Sequence, residues 1–307
     1  VAVEERKYRH VIYGDTDSSY CTMDDYMDRH GIVKNKTNAI PLADRFGDEI
    51  NASFPEFMHS NFLIPLERGA IIKAGREVVG RKGLFKDKKK RYAIHVLHNG
   101  KKSVDELKIM GMETVRSDTP KFIQEFLESC IKAVVQYDKG YEEVAEMVHH
   151  FRHEVFRKLE PWKRGSPCSV NKLTSNTEAI ERYEELLSKG VIGLQKPRTH
   201  FSIPAAKNTN DLIRLHNEHD WDFIHDGDKI QVLVLLDNPH EMKSVALPTD
   251  AVFIPNWFKE LPFDNQAHET KLIDRKLDNV LGSVMGWSFA ERTDYGDEVF
   301  GEDEEFF

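Results

Sequence analysis

The stretch His10-Val-Ile-Tyr-Gly-Asp-Thr-Asp-Ser-Ser-Tyr-Cys-Thr-Met23 constrains the fold of this chain more than any other. It reads as two short strands, 11–14 and 17–23, joined by a tight turn. Val, Ile, Tyr and Thr favour extended backbone on both sides, and Gly14 permits the bend. Asp15 and Asp17 are two apart, so a preserved pleat directs both carboxylates to one side of an exposed tip. Two like charges that close repel, and nothing local in sequence neutralises them. A hard divalent cation does so naturally, because Mg²⁺ prefers carboxylate oxygens and keeps positions open for phosphate and water. A solvated, Asp-rich hairpin turn is the other reading of the same residues.

The rest of the chain sets the context. Its 307 residues suffice for one large or two ordinary domains, and 40% hydrophobic with 31% charged residues is the composition of a globular protein. No apolar run reaches the roughly 18–20 residues of a membrane span, and no leader peptide is visible. Cys21, Cys130 and Cys168 form no close pair, which argues against a zinc site or disulfide framework. The first residue is Val, so a fragment, a processed product or one piece of a divided gene is expected.

Net charge of −9 hides a strong asymmetry. Residues 71–110 carry 12 Lys and Arg against 4 Asp and Glu, whereas residues 291–307 carry 8 acids against one base. Local fields steer partners, so a basic patch suited to a nucleic-acid backbone coexists with an acidic tail. Within the basic stretch, Gly80 to Arg91 reads as a Gly- and Lys-rich loop and residues 92–97 as a strand. Lys89, Lys90, Arg91 and Tyr92 therefore sit at a fixed edge, as cations beside a ring.

Several further elements are expected. Apolar residues from Leu42 to Phe62 mark a core helix over 41–62 that Pro55 breaks or kinks, after an irregular polar stretch 24–38. Residues 62–66 and 70–74 read as strands with Glu67 between them. Thr119-Pro120 opens a helix whose apolar face runs from Phe122 to Val135. Tyr141, Val144, Val148, Phe151, Val155 and Leu159 mark a second helix, and together the two make an αα-hairpin broken at 138–140. Cys130 is a small core residue of the first. His149, His150 and His153 form a surface face, since no Cys or carboxylate motif accompanies them. A helix over 177–188 stops at Gly190, a strand spans 229–236 after an Asp226-Gly227 turn, and core helix returns between Trp257 and Leu281.

The hexapeptide Tyr13-Gly-Asp-Thr-Asp-Ser18 resembles the palm metal motif of family B DNA polymerases. Lys89-Lys-Arg-Tyr92, about 70 residues later, resembles the family's KKRY motif, and Leu107 to Pro120 resembles its palm-to-thumb passage. The wording of that passage is similar to the replicative polymerases of T-even-like tailed phages. The resemblance extends more weakly over nearly the whole chain.

The resemblance implies an α+β fold. Residues 1–118 would be the C-terminal part of a palm, an antiparallel sheet with a packed helix. Residues 119–295 would be a largely helical thumb, and 296–307 an acidic, aromatic clamp-docking tail. It implies template-directed nucleotidyl transfer to a primer 3′-hydroxyl with two Mg²⁺ ions, with Asp17 as bridging ligand and Asp15 as supporting carboxylate. Lys90 and Lys108 would approach the minor groove near the primer end, Lys89 and Arg91 would contact phosphate, and Tyr92 would support the primer strand. Glu67 would supply a further palm carboxylate. Phe300, Phe306 and Phe307 would dock on a sliding clamp. Primer–template DNA, dNTPs, the clamp and an N-terminal polymerase part are the implied partners, with no membrane, in the cytoplasm of a phage-infected bacterium.

Three family features are missing from this sequence: the DxxSLYPS-type motif, the KxxxNSxYG-type fingers helix and an exonuclease acidic cluster. The chain is thus expected to need an N-terminal part for activity. A non-catalytic DNA-holding and clamp-tethering fragment is the alternative. An unrelated two-metal nucleotidyl enzyme with a similar palm is a third, weaker reading.

Overall fold

The computed structural model describes residues 10–282 and 284. Among the described residues the fold is α+β, with three separate antiparallel sheets among the helices. It divides into two compact units, residues 10–112 with 131–139, and residues 113–130 with 140–282 and 284.

The first unit opens with β1 (Val11–Asp15) and β2 (Ser18–Cys21), paired antiparallel with Asp15 opposite Ser18. The turn is Thr16-Asp17, not Gly14, which lies inside β1 opposite Ser19. Thr16 takes the left-handed conformation a two-residue hairpin loop demands, at φ 42°. A short helix α1 (Asp24–Arg29) interrupts the stretch expected to be irregular.

Helix α2 (Lys36–Phe62) starts before the apolar run, because Asn35 caps it by accepting the Asn38 N–H at 2.9 Å. Both Pro41 and Pro55 lie within it, so Pro55 does not end it. Only Leu42 of this helix is fully buried, which corrects the expectation of a core helix. The strands expected at 62–66 and 70–74 are absent. Leu63, at φ 55°, ends α2, and the single-turn α3 (Leu66–Gly69) follows. Gly69 packs against Pro55 so closely that an added Cβ would lie 2.8 Å from the proline Cα. Ala74 is held without a sheet: the Asn51 amide donates to its carbonyl at 3.0 Å and accepts its N–H at 2.6 Å.

A three-stranded meander completes the unit: β3 (Val78–Phe85), β4 (Tyr92–Asn99) and β5 (Lys102–Met110). Of the Gly-Lys stretch expected to be loop, the first half, Gly80 to Phe85, is strand, and 86–91 is loop. Its glycines make room for packing, since a Cβ on Gly80 would lie 2.6 Å from Ile94 Cγ2 and one on Gly83 2.7 Å from the Phe85 ring.

Helix α4 (Lys121–Val135) divides between the units, its residues from 131 on belonging with the first. In the second unit α5 (Tyr141–His150) continues through a π-helical turn, Phe151–Val155. That turn inserts one residue, so Phe156 is fully buried where the 3.6-residue repeat had pointed to Val155, which is exposed. His149, His150 and His153 are exposed, as expected of a surface face.

Then come β6 (Ser166–Ser169), α6 (Leu173–Ser188), α7 (Ser202–Leu215), β7 (Lys229–Val234) and β8 (Ser244–Pro248), with the sheet ordered β6-β7-β8. Short helices α8 (Asn256–Lys259) and α9 (Asn265–Glu269) lead through a π-helical Thr270–Arg275 into α10 (Lys276–Leu281). Helix α7 packs on the sheet through Ile203, Ala206, Leu212 and Ile213, all buried with Val232, Leu233 and Val245.

Three buried carboxylates of this unit, Glu113, Glu269 and Asp274, are paired with cations. Arg157 donates to both carboxylate oxygens of Glu269, and Arg152 bridges Glu269 and Asp274. Burial pushes the Glu269 carboxyl up, but the hydrogen bonds from Arg157 and Arg152 hold it low. Lys276 reaches the buried Glu113 at 2.6 Å.

His268 is different. It is buried, and its Nε2 accepts the Val234 N–H at 2.8 Å, so the ring is neutral there. Burial, helped by the charge of Arg164, pushes its pKa down to about 3. A histidine depressed on folding stabilises fully above its unfolded value near 6.5 and loses that contribution as pH falls toward 3. The unfolding free energy of the wild type, read from urea titrations, is expected to fall by up to about 1.4 kcal/mol per pH unit from this residue below pH 6.5. In His268→Gln the amide oxygen can still accept from Val234, so the gap between variant and wild type should narrow between pH 7 and pH 5. A constant gap contradicts the neutral assignment.

Candidate functional site

The hairpin is anchored by its tyrosines. Tyr13 and Tyr20 pack with Phe85 of β3 and Tyr92 of β4, ring centroids 5.2–6.1 Å apart. These rings cover Ile94 and Val96 on one face of the meander. An isolated two-stranded ribbon is marginal in water, and this packing supplies the missing face. Two hydroxyls fix its position further. Tyr20 donates to Tyr92 at 3.2 Å, and Tyr13 accepts the backbone N–H of Lys90 at 2.7 Å. Burial, then the hydrogen bond with Tyr20, pushes the Tyr92 phenol up to about 12, against the opposing charge of Lys108. Tyr92 is thus a neutral hydroxyl throughout the physiological range.

Asp15 follows Tyr13 by two residues on β1 and therefore shares its side of the ribbon. Its Oδ2 lies 3.8 Å from Lys90 Nζ, with the Asp15 side chain 24% exposed and the Lys90 side chain 72% exposed. Thr16 donates its hydroxyl to Asp15 Oδ1 at 3.1 Å, and Ser18 donates to the Asp15 carbonyl at 3.3 Å. Asp17 occupies the second turn position rather than a strand, so the alternation argument does not govern it. It is exposed, and its carboxylate has no partner among the described residues.

The basic face is narrower than its composition. Arg76 pairs with Asp44 at 2.6 Å, and Arg81 and Lys82 both pair with Asp138, whose carboxyl their hydrogen bonds hold low. Lys89 is exposed without a partner among the described residues, Lys90 is exposed beside Asp15, and Arg91 is half-buried. Lys108 on β5 stands opposite Ile94, diagonal to Tyr92, so its charge is felt at the Tyr92 hydroxyl.

Lys90 is held in the left-handed region, φ 61°, by Tyr13 on one side and Gly111 on the other. Gly111 itself has φ +60°, and a Cβ there would stand 2.1 Å from the Lys90 carbonyl oxygen. Of the residues singled out in sequence, the structure gathers Asp15, Lys90, Tyr92 and Lys108, with Asp17, Lys89 and Arg91 next to them along the chain. Glu67 is exposed in α3, and its carboxylate has no partner among the described residues. Phe300, Phe306 and Phe307 lie outside the described residues. Sequence reasoning missed Tyr13, Tyr20, Phe85 and Gly111 as the frame of the site. The Tyr13/Asp15 alternation was the available signal for the first.

No cluster of three or more His, Cys, Asp and Glu suited to a metal exists among the described residues. Asp15 and Asp17 offer hard carboxylate oxygens of the type Mg²⁺ takes, and so fit as part of a ligand set rather than a whole one.

Residues 71–190 match the family model of DNA polymerase family B. That segment contains Lys89, Lys90, Arg91, Tyr92 and Lys108 and begins after the hairpin. The chain is 32% identical over 255 residues to the DNA-directed DNA polymerase of Escherichia phage RB69, covering 78% of this chain and 26% of that protein. To the DNA-directed DNA polymerase of Enterobacteria phage T4 it is 35% identical over the same shares, 78% and 26%. The chain spans about a quarter of the length of these curated relatives. No helix among the described residues is long and apolar enough to cross a membrane.

Proposed function

The chain belongs to DNA polymerase family B, and from that premise we propose that it carries part of the catalytic centre of a DNA-directed DNA polymerase. In this reading residues 1–118 are the C-terminal part of the palm, 119–295 the thumb, and 296–307 a tail for a sliding clamp. The single observation that carries the reading is the seating of Asp15 over Lys90. The tyrosine pack ties a two-carboxylate hairpin directly to the basic strand edge, as a primer terminus requires.

Each group has a distinct task. Asp15 and Asp17 provide carboxylate oxygens at the hairpin tip, and a second polypeptide segment, the N-terminal polymerase part, adds its own. Two Mg²⁺ ions bound there would activate the primer 3′-hydroxyl and offset charge developing at the transferred phosphate. Lys89 and Arg91 contact backbone phosphate. Lys90 and Lys108 address minor-groove acceptors that every base pair presents, which senses pairing without reading sequence. Tyr92, a neutral phenol with a pKa near 12, supports the primer strand without repelling phosphate. The substrates are primer–template DNA and dNTPs, and the setting is the bacterial cytoplasm during phage infection.

Binding to a fluorescein-labelled primer–template, read by anisotropy across a salt series, tests the DNA face. The wild type is expected to show a steep inverse dependence of affinity on salt. Lys89→Ala with Arg91→Ala should reduce the slope of log K against log[NaCl] by about 2, roughly 0.9 per lost phosphate contact. Salt-independent binding, or an unchanged slope in the double variant, overturns the placement of these two residues.

A further inference from the structure

The first unit leaves a broad apolar surface uncovered at the end of α2. Phe57 is 54% exposed, Phe62 61%, Leu63 84% and Ile71 75%, with Ile50 and Leu66 nearly half exposed. Phe57, Phe62 and Leu63 adjoin one another at the helix end rather than standing as scattered singles. Ile50 and Phe57 are seven apart on one side of α2, and the Phe57 and Phe62 rings meet edge-on with centroids 6.2 Å apart. Leu63 sits at the left-handed end of the helix, and α3 packs on α2 just beyond it. A helix of 27 residues with a single fully buried side chain leaves much of its apolar surface uncovered by its own unit. An apolar surface of this kind marks an interface.

We propose that this face is the docking surface for the remainder of the polymerase, whether that remainder lies on the same polypeptide or on another. The inference rests on the polymerase reading above and identifies where the rest of the enzyme attaches. Two observations select that occupant. About three quarters of the length of the phage relatives is unmatched by this chain, so in those proteins a large further segment accompanies the matched part. The face also belongs to the same compact unit as the carboxylate hairpin, so whatever covers it is delivered to the unit that carries Asp15 and Asp17. The apolar chemistry fits a permanent interface, which buries more hydrophobic area than a transient one, and is unsuited to nucleic acid.

Cysteine accessibility tests this. In a Cys21→Ser background, Phe57→Cys and Leu63→Cys replace exposed side chains, and Glu56→Cys places a control thiol elsewhere on the exposed surface of α2. Maleimide labelling is measured in the isolated chain and in the assembled polymerase. We expect all three to label quickly in the isolated chain, and the first two to slow at least tenfold in the assembly while the control does not. Equal labelling of Phe57→Cys and Leu63→Cys in both forms overturns the proposal. So does protection that appears in the isolated chain with rising concentration, alongside a dimer mass in sedimentation, because the occupant is then a second copy. The same assembly is assayed for primer extension. A protected face without nucleotide addition keeps the interface and sinks the polymerase reading, whereas addition with an unprotected face does the reverse.

Discussion

Asp17→Asn in the assembled polymerase is expected to lower nucleotide addition on the order of a thousandfold or more, roughly 4 kcal/mol of transition-state stabilisation, with primer–template affinity little changed. Asp17 stands at the tip of a two-residue turn, exposed and without a partner among the described residues, so removing its charge breaks no fold contact. Its amide replacement keeps the shape and stays polar but gives up an anionic oxygen for the cation. Asp15→Asn differs in a way that can be measured. Asp15 accepts the Thr16 hydroxyl and faces Lys90 at 3.8 Å, so its loss also frees a cation at the DNA face. Asp15→Asn should therefore lower turnover while raising DNA affinity in low salt. An Asp17→Asn enzyme that extends primers normally removes the hairpin from catalysis and leaves a DNA-holding fragment.

Gly111→Ala is the substitution with the largest expected effect on the fold of the first unit. Gly111 lies at φ +60°, where an L side chain costs about 1–2 kcal/mol. The new Cβ would also stand 2.1 Å from the Lys90 carbonyl oxygen, a backbone atom that cannot rotate away. Together we expect a loss of about 2–4 kcal/mol, read as faster native-state hydrogen exchange of the β4 amides. Gly100→Ala is the matched control: its φ is +55° with nothing within 4 Å of the added carbon, so only the backbone cost of about 1–2 kcal/mol applies. The consequence for the site is specific. Displacing Lys90 breaks the Tyr13–Lys90 hydrogen bond and unseats Lys90 from Asp15. Equal effects of the two alanines contradict the close approach described here.

The sequence carried much of this, for identifiable reasons. The hairpin was legible because β-branched and aromatic residues flank a polar tip, and the turn was misplaced because Gly14 drew the bend away from Thr16-Asp17. Lys89 to Tyr92 stood out as cations at a strand edge. Strand β3 was hidden because Gly80 and Gly83 look like loop residues until Ile94 and Phe85 fill the space beside them. The runs 62–66 and 70–74 looked like strands because apolarity alone does not reveal whether a residue will be covered, and Leu63 and Ile71 are not. Val155 was read as core because a 3.6-residue repeat cannot anticipate the π-helical turn that buries Phe156 instead. The frame of the site was least legible. Tyr13 meets Lys90 across 77 residues and Tyr20 meets Tyr92 across 72, and nothing local specifies such pairs.

In the reading proposed above, the hairpin with its basic edge is one part of a shared active site. Single-nucleotide primer extension in Mg²⁺ decides this, comparing the isolated chain, the assembled polymerase and the assembled polymerase bearing Asp17→Asn. Addition is expected only from the assembled wild-type enzyme. Robust templated addition by the isolated chain, or by the assembly lacking the Asp17 carboxylate, contradicts it.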